Sequence, residues 1–262
     1  MTADINFFSF IYFGLLIVPI LFIMKNLKIH YLKSTIFSIF QMIIQLFLVG
    51  FYLQYIFKYN NSFINTLYLF FMILTATYTV LKSISLKELK LYILIFISIF
   101  TPLILNIFLF NVLSIKLSYI FDAKYLIPIS GMILGNILNG LIVTLNDFLD
   151  NFIKNENEYL LSISFGATKN EATKPFIKKA ISLSLKPSIA SMSSIGIVAL
   201  PGMMTGQILG GSLPMLAIKY QILIMLAIFN SKFFSTFILL ELIKKNYIDK
   251  FLIFDKRIIS QK

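Results

Sequence analysis

The sequence contains no cysteine and only one histidine, His30, which lies in a short basic connection. Without cysteine there can be no disulfide framework, thiolate metal site or cysteine nucleophile. No H-E-x-x-H motif, nucleophile pair or pair of intramembrane carboxylates occurs either. A membrane enzyme is therefore the least favoured function class, and we expect neither a catalytic residue, a protein-held metal nor a resident cofactor.

Charge is also scarce, since charged residues make up 13% of the 262 positions and hydrophobic residues 58%. A soluble globule of this composition would have too little polar surface to cover itself. A spanning helix needs about 20 apolar residues to cross about 30 Å of hydrocarbon. Seven windows qualify, approximately 5–24, 34–57, 63–81, 91–113, 125–145, 188–209 and 220–243. The windows 63–81 and 91–113 are apolar on every face, whereas transmembrane strands would alternate in polarity. The sequence predicts an all-α, polytopic membrane helical bundle in a single domain.

The net charge is +12, but the basic residues are spread over the connections between windows, so no nucleic-acid partner is expected. Eighteen Lys and Arg follow the first, third, fifth and seventh windows, and four occupy the other connections. Basic residues are retained on the cytoplasmic side. We therefore predict a multi-pass cell-membrane protein with the N-terminus outside and the C-terminus cytoplasmic. The first residues lack the basic start of a signal peptide, so the first window should remain as an anchor.

The longest connection, 146–187, has 42 residues and is cytoplasmic in this topology. We predict a helix over 155–165 with acidic residues in its early turns, where the helix dipole favours them. Gly166 should end this helix, a second short helix should follow over 171–181, and Pro187 should mark the entry to the sixth span. An amphipathic connector lying on anionic lipid is the plainer interpretation.

Small residues recur every four positions in the fifth and sixth windows, which places them along one helical stripe. The stripes comprise Gly131, Gly135 and Asn139 in the fifth window and Gly202, Gly206 and Gly210 in the sixth. Such stripes commonly do no more than pack helices together.

A transport pathway is the alternative interpretation of these two windows. Pro201 and Gly202 should break the sixth helix near its middle, and freed backbone at that depth must face protein or water. Polar side chains accompany the break, namely Asn136, Asn139, Thr144, Ser191, Ser193, Ser194, Thr205 and Gln207. We predict a polar-lined cavity between the two spans, or else hydrogen bonds between helices with no transport role.

Lys232 is a charged residue near the centre of the seventh window. A charge there costs at least about 2.5 kcal/mol on insertion scales, so this side chain should face protein, water or locally thinned bilayer. Glu241 lies nine residues further on, about 13 Å along the helix, so the two cannot pair within one chain.

The string E-Y-L-L-S-I-S-F-G-A-T-K-N-E-A-T-K-P, at 158–175, resembles the cytoplasmic coupling segment of ATP-binding-cassette transporter permeases. In that superfamily the segment docks into a groove on the ATPase subunit. The resemblance implies an ATPase-coupling role for Glu158, Gly166, Ala167, Thr168, Lys169 and Glu171.

Three further strings resemble the iron-export permease family, which includes the membrane subunits of plant aluminium-tolerance transporters. They are G-M-I-L-G-N at 131–136, S-M-S-S-I-G-I-V-A-L-P-G-M-M-T-G-Q-I-L-G-G at 191–211 and A-I-K-Y-Q-I-L-I-M at 217–225. Gln45 fits the family's second span, whereas Gln41 stands where relatives are expected to carry Arg. The resemblance implies a homodimeric permease subunit that exports a metal, iron, with the help of a separate ATPase. It places pathway or packing residues at Gln45, Gly131, Gly135, Asn136, Asn139, Pro201, Gly202, Met203, Met204, Thr205, Gly206, Gln207 and Gly210.

The chain contains no G-x-x-x-x-G-K-S/T phosphate loop, so any ATP must be bound by a partner. A secondary transporter or channel driven by an ion gradient is the alternative, but it would want buried acidic residues, and the first six windows hold none. The identity of the transported solute is not determined by the sequence, because Fe²⁺ sites normally use histidine and carboxylate ligands that these windows lack. A complexed metal and an organic solute fit the predicted cavity equally well.

Overall fold

The computed structural model describes residues 6–84, 88–117 and 119–248, and their regular structure is helical. The predicted tail beyond 248, the first residue of the first predicted span and Lys87 lie outside the described residues. The helices are α1 Phe7–Leu15, α2 Ile17–Asn26, α3 Leu32–Tyr59, α4 Ser62–Ser83, α5 Leu89–Phe108, a π-helix Leu109–Ser114, α6 Ala123–Lys154, α7 Glu156–Ser164, α8 Lys169–Ser194, α9 Gly202–Leu209 and α10 Pro214–Tyr247.

Six helical stretches in the described part of the chain are long and apolar enough to cross a membrane. They are Phe8–Asn26, Leu32–Tyr59, Ser62–Ser83, Leu89–Ser114, Ala123–Lys154 and Pro214–Tyr247. These stretches confirm the all-α membrane bundle and correspond to every predicted window except 188–209. The break between α1 and α2 has a local cause, because Pro19 has no N–H to bond the carbonyl of Leu15.

The chain divides into two compact units. The first contains the described residues up to Asn60 together with Leu209–Gly211, and the second contains Asn61–Ile208 and the described residues from Ser212 onward. In the first unit nearly all large apolar side chains of α1, α2 and α3 are exposed, as expected for helices that face lipid. In the second unit α6 is the central helix and packs against α4, α5, α8 and α10.

The window 188–209 is not one continuous helix. The helix α8 ends at Ser194, and Gly196 then adopts a left-handed φ of +89° while its N–H donates to the Ala199 carbonyl at 3.0 Å. The chain thus leaves the helical path several residues before Pro201, where we predict the break. Pro201 instead directly precedes α9, a place where its missing N–H costs little.

The connection 146–187 is also more regular than we predict. The helix α6 continues to Lys154, and the predicted short helix over 171–181 is the first part of α8, which runs through Pro187 to Ser194. Buried residues recur every four positions along α8, at 172, 176, 180, 184 and 188. The helix α8 packs against α6 and α10, which explains why it persists through two prolines that each remove a backbone hydrogen bond.

Candidate functional site

The segment from α7 to the first turn of α8, residues 156–171, forms a tight reversal that we call the elbow. Gly166 takes a φ of +90°, its N–H donates to the Ile163 carbonyl at 2.9 Å, and the Ala167 N–H donates to the Ser162 carbonyl at 3.1 Å. This pair of bonds is the Schellman arrangement that ends helices at glycine. The predicted helix end at Gly166 is therefore present, and α7 itself covers Glu156–Ser164.

The start of α8 is fixed by a capping box between Thr168 and Glu171. The Thr168 N–H and hydroxyl both donate to Glu171 Oε2 at 2.8 Å, while the Glu171 N–H faces Thr168 Oγ1 at 3.4 Å. The hydrogen bond from the Thr168 backbone, followed by that from its hydroxyl, lowers the pKa of Glu171. Two of the predicted coupling residues thus set the direction in which α8 leaves the elbow.

An aromatic cluster holds α7 against the ends of α6 and α8. The Tyr159 ring centroid lies 4.9 Å from that of Phe152, which lies 5.1 Å from Phe176 and 5.7 Å from Phe148. Tyr159 is 1% exposed and is the buried residue of α7. Aromatic pairs at such distances add about 0.5–1.5 kcal/mol beyond the area they bury. Tyr159 is therefore the buried anchor of α7, and the partly buried Ile163 and Ala167 pack against the same core.

The other face of the elbow is exposed and partly apolar. Phe165 is 83% exposed, and Leu160, Leu161 and the predicted coupling residue Glu158 are exposed as well. Lys169 instead turns inward and donates through Nζ to the Ile248 carbonyl at 2.7 Å. The exposed face of the elbow is thus apolar and acidic, whereas Lys169 attaches the elbow to the rest of the chain.

Most glycines of the two predicted stripes have no close neighbour that an added Cβ would meet. Gly131 approaches Met72 of α4, with 3.4 Å between a Cβ placed there and Met72 Cε. A Cβ at Gly135, Gly202 or Gly206 would meet no atom of the described chain within 4 Å. Apart from the approach of Gly131 to Met72, the described residues do not show the helix packing that these stripes predict, and that packing stays a prediction.

The remaining predicted pathway residues lie at different places. Gln45 is exposed on α3, and Gly210 is exposed in the turn after α9. Met204 is buried, Met203 packs against the core, and the Thr205 hydroxyl donates to the Pro201 carbonyl at 3.2 Å. Gln207 carries a buried Oε1 without a hydrogen-bond partner among the described residues. The α9 segment is thus a set of local contacts outside the cavity described next.

A cavity of about 220 Å³ lies in the second unit between α6, α8 and α10. Its walls are formed by Asn136, Asn139, Val143, Ser184, Pro187, Ser188, Ser191, Met192, Met225, Ile228, Phe229 and Lys232. Three of the polar residues from which the sequence predicts a cavity, Asn136, Asn139 and Ser191, lie in its walls. The other five do not line it, namely Thr144, Ser193, Ser194, Thr205 and Gln207. The prediction placed it between the fifth and sixth spans alone, whereas the structure adds α10 as a third wall.

Lys232 occupies this cavity from the middle of α10. It is 5% exposed, and its Nζ donates to Ser188 Oγ at 2.9 Å. A Cβ built on Gly140 would lie 2.7 Å from Lys232 Cε and 2.8 Å from its Cγ, so the lysine stem runs directly against this glycine. Glu241 pairs with Lys244 instead, through a 2.7 Å hydrogen bond. Lys232 thus faces protein and cavity, as its sequence position predicts.

The described residues hold no cluster of three or more His, Cys, Asp or Glu side chains that could bind a metal ion. Sequence reasoning missed Ser184 and Ser188 in the cavity wall, and it missed Gly140, which lies against the stem of Lys232. Gly140 lies one residue beyond the predicted stripe of Gly131, Gly135 and Asn139, and Ser188 lies where the sequence predicts the entry to the sixth span. The buried stripe at every fourth position of α8 was the signal that could have found Ser184 and Ser188.

A family model described as "Uncharacterised protein family (UPF0014)" matches residues 7–248. The chain belongs to the UPF0014 family. Among curated relatives, it is 33% identical to "Protein ALUMINUM SENSITIVE 3" of Arabidopsis thaliana, over 80% of this chain and 75% of that protein. It is 31% identical to "Probable iron export permease protein FetB" of Escherichia coli, over 86% of this chain and 85% of that protein.

A third UPF0014 relative is the "UPF0014 membrane protein YjkA" of Bacillus subtilis, 31% identical over 78% of this chain and 80% of that protein. No solved structure matches the chain. The resemblance to the iron-export permease family is confirmed, and this UPF0014 protein is a multi-pass membrane protein.

Proposed function

We propose that the chain is the membrane-spanning permease subunit of an ATP-binding-cassette transporter. It works as an exporter in metal homeostasis, with iron the cargo suggested by the name of the FetB relative. A separate ATPase subunit binds the elbow and supplies the energy, and a second copy of the chain completes the transporter. The observation that carries the proposal is the elbow itself, in which Tyr159 is buried against the bundle while Phe165 is exposed.

The elbow and the cavity are joined by continuous helices. From Lys169 at the elbow to Ser188 in the cavity wall, α8 rises 19 residues without interruption, about 28 Å at 1.5 Å per residue. From Phe152 in the aromatic cluster to Asn139 in the cavity wall, α6 spans 13 residues, about 20 Å. Because a helix transmits displacement as a rigid body, a push on α7 reaches both walls.

The aromatic cluster makes this transmission stiff. Phe152 of α6 contacts both Tyr159 of α7 and Phe176 of α8, so the three helix ends move as one packed group. Packed cores switch between discrete arrangements and do not deform continuously. In the proposed cycle, closure of two ATPases around ATP moves both elbows, and the cavity changes the side of the membrane to which it opens.

The test is reconstitution of the purified chain into proteoliposomes with and without the ATPase with which it co-purifies. We expect vectorial movement of an iron complex in the presence of both subunits and ATP, and ATP hydrolysis that rises with cargo. Transport by the chain alone, driven by an imposed ion gradient, would contradict the proposal and favour a secondary transporter.

A further inference from the structure

The cavity between α6, α8 and α10 contains a buried cation without an acidic partner. Lys232 forms no ion pair among the described residues, and its hydrogen bond to Ser188 occupies one of three ammonium N–H groups. Withdrawing an ammonium from water costs several kcal/mol unless an anion or sufficient hydrogen bonds offset the loss. The site is therefore electrostatically incomplete as the chain stands.

We propose that this cavity binds the oxyanion group, carboxylate or phosphate, of a small anionic solute, with Lys232 as its counter-cation. The proposal rests on the transport function proposed above and names the charge class of its cargo. A free organic anion and a metal held in a negatively charged chelate share this chemistry.

The other polar groups of the cavity can act as hydrogen-bond donors. Ser184 is 1% exposed, lines the cavity, and its Oγ has no hydrogen-bond partner in the described part of the chain. Ser188 accepts from Lys232, so its own hydroxyl hydrogen remains to be donated. Asn139 adds a side-chain amide to the same wall. An oxyanion accepts charge-assisted hydrogen bonds at about 2.5–2.7 Å from hydroxyl groups and at about 2.7–2.9 Å from an ammonium group.

The cavity walls contain no acidic side chain and no histidine. A bare Fe²⁺ ion would find neither of the ligand types it prefers and would be repelled by the ammonium. An iron cargo is therefore compatible with this cavity only when its ligands give the complex a negative charge.

Gly140 fixes where the ammonium lies. The lysine stem fills the space that a side chain at 140 would occupy, with Cε, Cγ and Cδ all close to the position of the missing Cβ. This contact restricts the rotamers of Lys232, so little conformational entropy is lost when an anion binds. At about 220 Å³ the cavity is smaller than the usual range of about 300–1,000 Å³ for ligand pockets, which limits the bound group to a small one.

The experiment measures binding to the purified chain alone in lipid nanodiscs, by isothermal titration calorimetry, with inorganic phosphate, citrate, ferric citrate and Fe²⁺ as separate probes. We expect at least one oxyanion probe to bind and Lys232→Gln to weaken its binding at least about tenfold. Ser184→Ala should weaken it by a smaller factor. The matched control is Lys219→Gln, which removes the same charge from an exposed position of the same helix and should leave binding unchanged.

Binding of citrate without iron would identify a free anion as the source, and binding of ferric citrate alone would identify a chelate. Three results would overturn the proposal: no oxyanion probe binds, Fe²⁺ binds and Lys232→Gln strengthens its binding, or the two lysine variants weaken binding equally. Lys232→Met, whose thermal unfolding is compared with that of the wild type, separates a binding defect from misfolding. Because no ATPase is present, these outcomes do not depend on whether ATP drives transport.

Discussion

At Gly166 the backbone has a φ of +90°, a conformation that costs an L-residue with a side chain about 1–2 kcal/mol. Gly166→Val should therefore distort the elbow and uncouple ATP hydrolysis from transport, because a β-branched residue opposes the left-handed turn. Gly166→Asn is the matched variant, since asparagine tolerates this region best among residues with side chains. We expect normal membrane insertion of both, transport by Asn and little by Val, measured in vesicles containing the ATPase. Full transport by the Val variant would contradict the proposal that the elbow passes the movement of the ATPase to the cavity.

Glu171 gives the elbow a predictable dependence on pH. Its pKa is lowered by the Thr168 hydrogen bonds, so the carboxylate stabilises the turn at any pH above the unfolded value of about 4.3. The contribution is lost as the pH falls through the lower, folded pKa. Hydrogen exchange of the first turn of α8 should accelerate over this acid range beyond its intrinsic change. Glu171→Gln should abolish the extra acceleration, whereas Glu158→Gln, outside the box, should retain it.

Gly140 is where an added methyl group would meet the chain most closely among the glycines described here. Gly140→Ala should displace Lys232 and destabilise the protein by about 1–3 kcal/mol, as overpacking of a core does. Lys232→Ala removes the obstructing stem, so Gly140→Ala should cost much less in that background. Thermal unfolding of both single variants and the double variant in detergent measures this coupling. Additive effects would show that the two residues do not compete for space.

The elbow has two faces, and substitutions on them should have different consequences. Tyr159→Ala removes the buried anchor and should destabilise the elbow by about 3–5 kcal/mol, with loss of ATPase coupling. Phe165→Ala changes an exposed side chain and should leave thermal unfolding unchanged while lowering the affinity for the ATPase. Unfolding curves and co-purification yields of the two variants test this contrast. An ATPase affinity that Phe165→Ala does not reduce would place the docking surface elsewhere.

Sequence reasoning predicted those elements whose signal is local. The spans are uninterrupted apolar runs, and Gly166 ends α7 through backbone chemistry that glycine alone performs freely. The length of α8 escaped prediction because its lysines, serines and two prolines read as a loop, whereas packing of every fourth residue on α6 keeps it helical. The interruption at Gly196 escaped as well, because hydropathy averages composition and does not register a single left-handed residue.

The sequence predicts polar residues in the cavity wall, but it does not predict which side chains contact one another there. Asn136, Asn139 and Ser191 were identifiable as polar residues in apolar windows. The approach of Lys232 to Ser188, 44 positions earlier in the chain, is a tertiary contact with no periodic trace in the sequence. The choice of Gly140 as the close neighbour of Lys232 likewise depends on how α6 and α10 face each other.

For the whole molecule, the asymmetry of basic residues predicts a cytoplasmic elbow and an external turn between α9 and α10. The chain lacks cysteine, so single substitutions can be labelled without a background. Asn157→Cys should react with an impermeant maleimide only in inside-out vesicles, and Lys116→Cys and Ser212→Cys only in right-side-out vesicles. Labelling of Ser212→Cys from the same side as Asn157→Cys would show that the interrupted segment from α8 to α9 enters and leaves on one side.

The anionic cargo that we infer from the buried ammonium of Lys232 also has an electrical consequence for the cell. Most cells keep their interior negative, and moving one elementary charge through 100 mV is worth about 2.3 kcal/mol. Export of a bare divalent cation from such a cell would cost this energy twice, because the ion carries two positive charges. Export of the anionic cargo that we propose would instead be favoured by the membrane voltage. The resting voltage would then assist expulsion, and ATP would be needed only for the remaining concentration difference.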